Sequence, residues 1–378
     1  MPARLSRPHV WFILVTCGAL LLAACQSSGS ASPGGSAGAS GTGAASAAPS
    51  VTEPNSLSVL EWSGYEDPKF WIDFQTAHPD TQVSFDFGIS DSDILGKMEG
   101  SNQDDIFHFY SGWQQFYVDE GLVQPIDTTK LKNWDKVPDS FKKLGQINGK
   151  QYYLPWDWGF TSILYNTSKV SGTIDSWNAL FNQTYAKHIS MWDDGPAAVT
   201  VSSYIHGYDE TKITADQLAA VEAEWKIQKP LNIHYWTGEY TDFCPEVQSG
   251  DIWVAYAWQG CYATVLYDKS QPVAYANPKE GRNSWVGFYG ISSKTASYNL
   301  ALQFLDDKLA KMSCENAVTN FYYGCVNQEV MNGITDPVLI KAFGINDPSI
   351  LEHTNYTPLV TQAQRTAWTA MWLRVKGG

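Results

Sequence analysis

From residue 55 onward, short apolar runs typical of strands alternate with segments whose apolar residues recur at helical spacing. This alternation predicts α/β layers around mostly parallel sheets. The expected strands are Ser58–Trp62, Gln82–Phe87, Asp105–Tyr110, Ser162–Tyr165, Ile252–Trp258 and Gly287–Ile291. The expected helices are Pro68–Ala77, Ser92–Met98 and Leu218–Lys226. Thr214 followed by Gln217 forms a capping box that predicts the start of the last helix.

The first 25 residues have the form of an export signal. Arg4 and Arg7 precede the apolar stretch Val10–Ala24, which has about the length of a signal-peptide core and is too short to span a bilayer comfortably. The stretch ends in Leu22-Ala23-Ala24-Cys25, which resembles the bacterial lipobox, where the cysteine is diacylated and becomes residue one of the mature protein. We therefore expect Cys25 to be lipidated and the protein to lie on the outer face of the cell membrane, extracellular or periplasmic. An ordinary signal peptide with a chance cysteine is the alternative.

Residues 26–54 are rich in Ser, Gly and Ala and show no hydrophobic periodicity. Such a composition cannot bury enough apolar surface to fold, so we expect a disordered tether. Flexible-chain scaling gives this tether a reach of roughly 30 Å. The folded part then begins near Asn55 and is long enough for two lobes.

The formal net charge is −14, and it becomes −16 once a leader with two arginines and no acidic residue is removed. This charge argues against nucleic acid and anionic lipid as partners and mildly favours cationic solutes.

Six cysteines are present, and Cys17 and Cys25 belong to the leader. The other four lie in an exported domain, where two disulfides with three alternative connectivities are expected. We favour the near-neighbour pairs Cys244–Cys261 and Cys314–Cys325. A zinc site is the competing interpretation, although no CxxC spacing is present and the histidines are scattered.

Aromatic residues make up 14% of the chain, with 16 Trp and 20 Tyr. Many stand at the ends of predicted strands, where ligands bind in doubly wound sheets. Trp62 with Tyr65, Ser111 with Trp113, and Trp258 all fall at such places. No GxSxG, HExxH or P-loop motif occurs, so we expect neither an enzyme nor a cofactor.

Ordered segments of the chain resemble the polyamine (spermidine/putrescine) type of ABC-transporter solute-binding protein. These segments are Leu60–Tyr65, Gly121–Asp127, Tyr153–Gly159 leading to Tyr165-Asn166, Ser176-Trp177, Asp193-Asp194, Ala257–Gly260, and Pro278–Gly281 with Trp285 four residues on. They span nearly all of the folded part, and the lipobox independently predicts this class.

The resemblance implies a bilobal, periplasmic-binding-protein-like (type II) clamshell, in which two doubly wound α/β lobes are joined by crossovers near residues 160 and 288. Residues 55–160 and 288–335 would form the first lobe, and residues 161–287 and 336–378 the second. The resemblance also implies a monomer that closes on a small-molecule solute and docks on a membrane permease, with the permease and ATPase as separate chains.

In that family, polyamine methylenes lie between aromatic rings and the ammonium groups meet carboxylates. The family's contact positions fall on Trp62, Tyr65, Asp194, Trp258, Trp285 and Tyr323. Trp113 falls near the family's next cleft tyrosine, and Ser111 is added from its place at a strand end. Two family carboxylates are missing, because their positions hold Ala197 and Gly287. Asp157, together with Asp91 or Asp93, is expected to replace them; a surface or helix-cap carboxylate is the other interpretation of Asp157.

The leading hypothesis is therefore a receptor for a small cationic or amphipathic solute that carries less positive charge than spermidine, because an unpaired buried ammonium is costly. A carbohydrate receptor is the second hypothesis, since Trp faces also stack on sugar rings. A secreted glycosidase using Asp193 and Asp194 is a third, although adjacent carboxylates usually point apart. A surface adhesin is a fourth.

Overall fold

The computed structural model describes residues 53–101, 103–236, 243–345, 350 and 353–377. The predicted leader, Cys17, Cys25 and all but the last two residues of the predicted tether lie outside these residues. Those predictions therefore stay predictions.

A mixed sheet organises the described part of the chain. Its strands are β1 (Ser56–Trp62), β2 (Gln82–Gly88), β3 (Ile106–Tyr110), β4 (Val123–Gln124), β7 (Tyr153–Asn166), β8 (Ile189–Trp192), β9 (Asn232–Trp236), β10 (Val254–Trp258), β11 (Val273–Tyr275), β12 (Arg282–Ser292), β13 (Gly324–Cys325) and β14 (Thr354–Tyr356). The short strands β5 (Gln146–Ile147) and β6 (Lys150–Gln151) form a separate hairpin.

Helices connect and cover these strands. The α-helices are Ile72–Ala77, Asp91–Glu99, Gln114–Asp119, Asp139–Leu144, Gly195–His206, Ala215–Gln228, Cys244–Ser249, Gln259–Asp268, Tyr298–Lys308, Lys311–Asn316, Gln328–Asn332, Pro337–Phe343 and Gln362–Gly377. Short 3₁₀ turns occur at Pro68–Phe70, Thr128–Lys130, Trp134–Lys136, Trp177–Phe181, Gln183–Tyr185, Glu210–Lys212 and Lys229–Leu231, and a π-helical turn at Ala317–Phe321.

The strand order along the main path is β2-β1-β3-β12-β7-β10-β8-β9. Pairing is parallel at the two ends of this path, where β1 pairs with β2 and β3 and where β8 pairs with β9 and β10. Pairing is antiparallel at the centre, where β12 joins β3 to β7 and β7 joins β10. The expected parallel pairing thus holds at the two ends, while two long strands connect them.

The long strands β7 and β12 run through the centre of the sheet, and their register shifts between Val286 and Phe288. A large apolar cluster that includes Trp177 and Trp225 packs around β8 and β10, and other clusters that include Trp156 and Phe107 pack around β1 and β3. Trp158 on β7 packs against each of these clusters. The two lobes remain a prediction, although this arrangement of cores is compatible with them.

The predicted elements are present, with shifted bounds. The strand expected at Ser162–Tyr165 is the end of β7, which begins nine residues earlier at Tyr153. The helix expected at Pro68–Ala77 is divided in two at Trp71, whose φ of −152° leaves the helical range. The capping box is confirmed, because the Thr214 hydroxyl accepts the backbone N–H of Gln217 while the side-chain Oε1 of Gln217 accepts the backbone N–H of Thr214.

The four cysteines of the folded part are paired as Cys244–Cys261 and Cys314–Cys325, with Cα–Cα distances of 5.6 Å and 5.4 Å. This is the near-neighbour pairing expected from the sequence. No group of three or more metal-binding side chains occurs among the residues that the structure describes. Within the same residues, no helix has the length and apolar character to cross a bilayer.

Candidate functional site

Five aromatic side chains from four parts of the chain form a connected set, which we call the ring group: Trp62, Tyr65, Tyr110, Trp285 and Tyr323. The ring centroids of Tyr110 lie 5.3 Å from those of Trp62 and 5.2 Å from those of Trp285. Trp285 lies edge-on to Tyr323 at 4.9 Å, and the hydroxyls of Tyr65 and Tyr110 are 3.4 Å apart. Four of the five were predicted as ligand contacts, and Tyr110 was missed.

Sheet register brings these residues together. Parallel strands β1 and β3 end side by side at Trp62 and Tyr110, so both rings emerge at the carboxyl edge, where ligands bind in such sheets. Antiparallel β12 pairs Gly287 with Tyr110 and places Trp285 opposite Gly159 of β7. A Cβ atom at Gly159 would overlap the Trp285 indole, so the glycine permits this close approach.

Two indole N–H groups of the ring group, those of Trp62 and Trp285, are buried without a hydrogen-bond partner. The same holds for Asp157 Oδ1 and His108 Nε2. Asp157 Oδ1 and His108 Nε2 face each other, whereas the two indole N–H groups face no such charged partner among the described residues. Most buried polar atoms in proteins have a hydrogen-bond partner, so two unpartnered indoles in one set of rings mark the ring group as the candidate binding site.

Asp157 lies on β7 with its side chain fully buried. Its Oδ2 accepts a hydrogen bond from the Tyr65 hydroxyl at 3.2 Å, and its Oδ1 faces His108 Nε2 at 3.8 Å. A Cβ atom at Gly287 would overlap Asp157 Oδ1. The Asp157 carboxylate thus fills the space that a side chain at position 287 would occupy, and it is neither a surface group nor a helix cap.

A charged network continues from Asp157 into the interior. His108 Nδ1 lies 2.5 Å from Glu61 Oε1, and Lys308 Nζ lies 3.5 Å from Glu61 Oε2, which also accepts the Tyr289 hydroxyl at 2.6 Å. Glu61, His108 and Lys308 are fully buried. The sequence reasoning missed all three.

The electrostatics of this network favour the charged forms of Glu61 and His108. Burial alone would raise the pKa of the Glu61 carboxyl, but the charges of His108 and Lys308 bring it down to about 2. Burial alone would lower the pKa of His108, but Glu61 and Asp157 raise it to about 9. Burial lowers the pKa of Lys308, against the attraction of Glu61. Two carboxylates therefore face two cations, and the Asp157 charge is largely balanced by His108.

A second charged group lies beside the ring group and contains Asp91, Asp194 and Arg365. Asp91 Oδ1 accepts the backbone N–H of Tyr110 at 2.7 Å. Asp194 is the N-cap of the helix Gly195–His206, and its Oδ2 accepts the Ala197 N–H at 2.8 Å. Burial raises the pKa of each aspartate to about 6, although these N–H groups and the charge of Arg365 oppose the shift.

Trp258 belongs to a different aromatic set, although it was predicted alongside the ring group. Its ring centroid lies 5.4 Å from that of Trp192 and 5.1 Å from that of Trp236. These rings pack with the cluster around β8 and β10. The sequence had predicted Trp258 at a strand end, and it is the last residue of β10.

Ser111 and Trp113 follow β3 directly. The Ser111 hydroxyl accepts the Val286 N–H at 3.3 Å, so it connects β3 to β12. Trp113 is 8% exposed, and its ring lies 4.3 Å from the guanidinium carbon of Arg365. Asp93 lies in the first turn of the helix Asp91–Glu99 and accepts the Ile89 N–H, whereas Asp91 binds the Tyr110 N–H and is the nearer replacement carboxylate.

The adjacent carboxylates Asp193 and Asp194 have separate partners. Asp193 pairs with Lys376 Nζ at 2.7 Å and accepts the Trp372 indole N–H at 2.7 Å, whereas Asp194 caps a helix. The two groups therefore do not form the acid–base pair of a glycosidase.

A surface cavity of about 560 Å³ lies outside the ring group, with Tyr204, Glu210, Glu280 and Tyr356 among its lining residues. None of the predicted ligand contacts lines it.

The family described as bacterial extracellular solute-binding protein matches residues 72–324. The putrescine-binding periplasmic protein of Escherichia coli (strain K12) is 22% identical over 353 residues, covering 87% of this chain and 93% of that protein. The structure of a spermidine/putrescine ABC transporter substrate-binding protein from Streptococcus pneumoniae superposes with a TM-score of 0.70 at 19% identity, covering 85% of this chain and 98% of the other.

The TpPotD lipoprotein of Treponema pallidum superposes with a TM-score of 0.71 at 17% identity, covering 85% of this chain and 99% of the other. At these identities the superpositions establish the fold. The predicted α/β, periplasmic-binding-protein-like fold is therefore confirmed.

Proposed function

The chain belongs to the bacterial extracellular solute-binding proteins, and we propose that it captures a small organic solute bearing an ammonium group and presents it to an ABC importer. Members of this family are non-enzymatic components of transporters that act outside the cell membrane. The proposal concerns the chemical class of the solute and the residues that hold it.

The observation that carries the proposal is the position of Tyr110. Its ring contacts Trp62 and Trp285, while its backbone N–H binds the Asp91 carboxylate. Ring faces and a carboxylate thus meet at one residue. An ammonium group taken out of water needs these two kinds of partner, because an isolated charge is prohibitively costly to bury.

The charge of the site favours a solute with fewer positive charges than spermidine. The positions of two family carboxylates hold Ala197 and Gly287. Asp157 replaces one of them in space, but the cationic His108 faces it. Asp91 and Asp194 are the carboxylates left for a solute ammonium, and Arg365 offsets part of their charge.

The similarity to a putrescine-binding protein and to a spermidine/putrescine binding protein supports an amine as the solute. A thermal-shift screen of polyamines, betaines, amino acids and oligosaccharides tests the class. A ligand at a hundredfold excess over its dissociation constant should add about 2.7 kcal/mol of stability. A response restricted to neutral sugars would overturn the amine proposal and establish the carbohydrate receptor instead.

Asp194→Asn tests the role of the carboxylate directly. Asparagine is as good an N-cap as aspartate, so the helix Gly195–His206 keeps its start while the charge is lost. We expect amine affinity to fall roughly tenfold, by about 1.4 kcal/mol, in titration calorimetry. Asp216→Asn, which removes an exposed charge from another helix start, is the control and should leave affinity unchanged. Equal affinity of Asp194→Asn and the parent would exclude Asp194 from the site.

Membrane attachment through a lipid on Cys25 is a second part of the proposal. The residues Leu22-Ala23-Ala24-Cys25 support it, and the fold is shared with a Treponema pallidum protein described as a lipoprotein. Labelled palmitate supplied to expressing cells should be incorporated into the parent and not into a Cys25→Ser variant. Equal labelling of both proteins would contradict lipidation at Cys25.

We also propose that the two lobes expected from the sequence close on the solute by a hinge motion. The central strands β7 and β12, with the shifted register at Val286 and Phe288, are the segments that would connect them. Spin labels at the exposed residues Ile89 and Ile227, one in each proposed lobe, should approach each other when solute is added. An unchanged distance in the presence of a bound solute would contradict closure.

A further inference from the structure

Arg365 lies beside the candidate site and is not among the residues predicted from the sequence motifs. It projects from the helix Gln362–Gly377 and is only 9% exposed. Its guanidinium carbon lies 4.3 Å from the centroid of the Trp113 ring, and its Nη2 donates to the Gly112 carbonyl at 2.9 Å. The Trp113 ring and the Gly112 carbonyl therefore fix the orientation of the planar guanidinium.

Gly112 is part of this support. Its φ of +97° favours glycine, and a Cβ atom there would overlap Arg365 Nη2. The backbone of the loop after β3 thus leaves space for the guanidinium, as expected of a preformed binding site.

The guanidinium is not neutralised by an ion pair. Among the residues that the structure describes, no carboxylate oxygen lies within 4.0 Å of its nitrogens, and Nε is buried without a hydrogen-bond partner. Asp91, Asp194 and Glu210 are near enough to act on Arg365 electrostatically. Each of them, however, already accepts another hydrogen bond, from Tyr110, Ala197 and Thr200 respectively.

Arginine presents a planar fork of N–H groups that matches a carboxylate in two parallel hydrogen bonds. A buried fork with an unused N–H, fixed in orientation by a ring and a carbonyl, is prepared for such a ligand. Tyr110 of the ring group is the last residue of β3, and Gly112 lies in the turn that follows it. Asp91 accepts the Tyr110 N–H and also acts on Arg365 electrostatically, so the proposed ammonium-binding and carboxylate-binding places adjoin.

We propose that the solute is a zwitterion, with its ammonium group held by the ring group and Asp91 and its carboxylate held by Arg365. This inference rests on the proposed function and narrows it. The class is a short linear amino acid whose amine is distant from the carboxylate, rather than a diamine.

Calorimetric titration of the full chain with 4-aminobutanoate and with putrescine tests the inference. The two probes have the same carbon chain and differ only in the terminal group that Arg365 would meet. We expect the amino acid to bind at least tenfold more tightly than the diamine. In Arg365→Gln the amino acid should lose at least tenfold, and the diamine should bind as well as before or better, because a repelling cation has been removed.

Arg374→Gln is the matched control, since Arg374 lies on the same helix but is exposed and pairs with Glu222. It should leave both affinities unchanged. Tighter binding of the diamine by the parent protein would overturn the zwitterion inference while leaving the amine receptor in place, and this comparison needs no variant to fold. Binding of neither probe, together with a response to sugars alone, would overturn both proposals.

Discussion

Two neighbouring regions of this protein combine aromatic rings with buried charged side chains, and they differ in where the positive charge comes from. In the first, which we call the lysine cage, the rings of Phe70, Trp156, Tyr289 and Phe304 surround Lys308 Nζ at 4.9 to 5.4 Å, with Glu61 as the anion. In the ring group, the His108 imidazole lies 5.4 Å from Tyr65 and 5.3 Å from Tyr110, and the indole N–H groups of Trp62 and Trp285 lack hydrogen-bond partners.

This difference suggests that the lysine cage serves stability and that the ring group serves recognition of a solute. The lysine cage carries its own ammonium, so its cation–π contacts and ion pair are formed when the chain folds. In the ring group the cationic His108 packs against Tyr65 and Tyr110, but no lysine or arginine of the described residues lies over Trp62 or Trp285, so these two indoles can interact with the ammonium group of a solute. Tyr65 connects the two regions, because its ring lies 5.3 Å from Trp156 and its hydroxyl meets Tyr110.

The largest effect should come from breaking the cage. Lys308→Met leaves the buried Glu61 without one of its two cations, and removal of one partner of a buried ion pair typically destabilises by about 3–5 kcal/mol. Urea denaturation should show this loss in the free energy of unfolding. Lys311→Met, three residues further on, removes a lysine that is 68% exposed and should change stability little. Equal stability of the parent and Lys308→Met would mean that the cage contributes nothing to folding.

The pH dependence of stability should report the same network. The pKa of His108 rises from 6.5 to about 9 on folding, so its contribution is fully present below pH 6.5 and is lost as the pH rises through about 9. Such a shift corresponds to a loss on the order of 3 kcal/mol. The pKa of Glu61 falls from 4.5 to about 2 on folding. Its contribution to stability is therefore fully present above pH 4.5 and is lost as the pH falls towards 2.

Unfolding measured at intervals from acid to alkali tests this prediction. His108→Gln should remove the alkaline loss, whereas His206→Gln, which changes an exposed histidine, should keep it. An unchanged alkaline profile in His108→Gln would show that another group is responsible.

The sequence predicted the fold more completely than it predicted the candidate site. Four of the six predicted strands, which correspond to β1, β2, β3 and β10, have bounds within two residues of those observed, because apolar runs between turn residues are strong local signals. The start of β12 was predicted five residues late and that of β7 nine residues late, and in β7 Pro155, Asp157 and Gly159 have the appearance of turn residues. Pairing with β12 and burial override these local preferences, and Pro155 stands opposite Phe288, next to the shifted register.

In the site, four residues carried over from the family resemblance came together in the ring group, whereas Trp258 lies in another aromatic set. Residues defined by long-range pairing were missed. Glu61 and His108 are 47 residues apart in sequence and meet only because β1 and β3 are neighbours. One signal was present, since Glu61 lies between Leu60 and Trp62 and His108 lies between two phenylalanines. Such residues are rarely buried without a partner, but the sequence does not say which partner.

Substitutions in the ring group should change the affinity for the solute. Trp285 contacts both Tyr110 and Tyr323, so Trp285→Ala removes the central ring. We expect amine binding to weaken by about 2 kcal/mol, roughly thirtyfold, as measured by calorimetry. Trp134→Ala is the control, because it removes a half-buried indole that lies on a separate 3₁₀ turn. Unchanged affinity in Trp285→Ala would mean that the solute binds elsewhere.

The smallest effect should arise where the two regions meet. Gly287→Ala would place a methyl group against Asp157 Oδ1 and within 2.7 Å of His108 Nε2. Overpacking of this kind should destabilise by about 1–2 kcal/mol in urea unfolding. Gly96→Ala is the matched control, because Gly96 lies inside a helix with nothing within 4 Å of the added atom, and it should stabilise by about 0.5–1 kcal/mol. If Gly287→Ala were as benign as Gly96→Ala, Asp157 would not occupy the space beside position 287, and the carboxylate would be free to turn towards a solute.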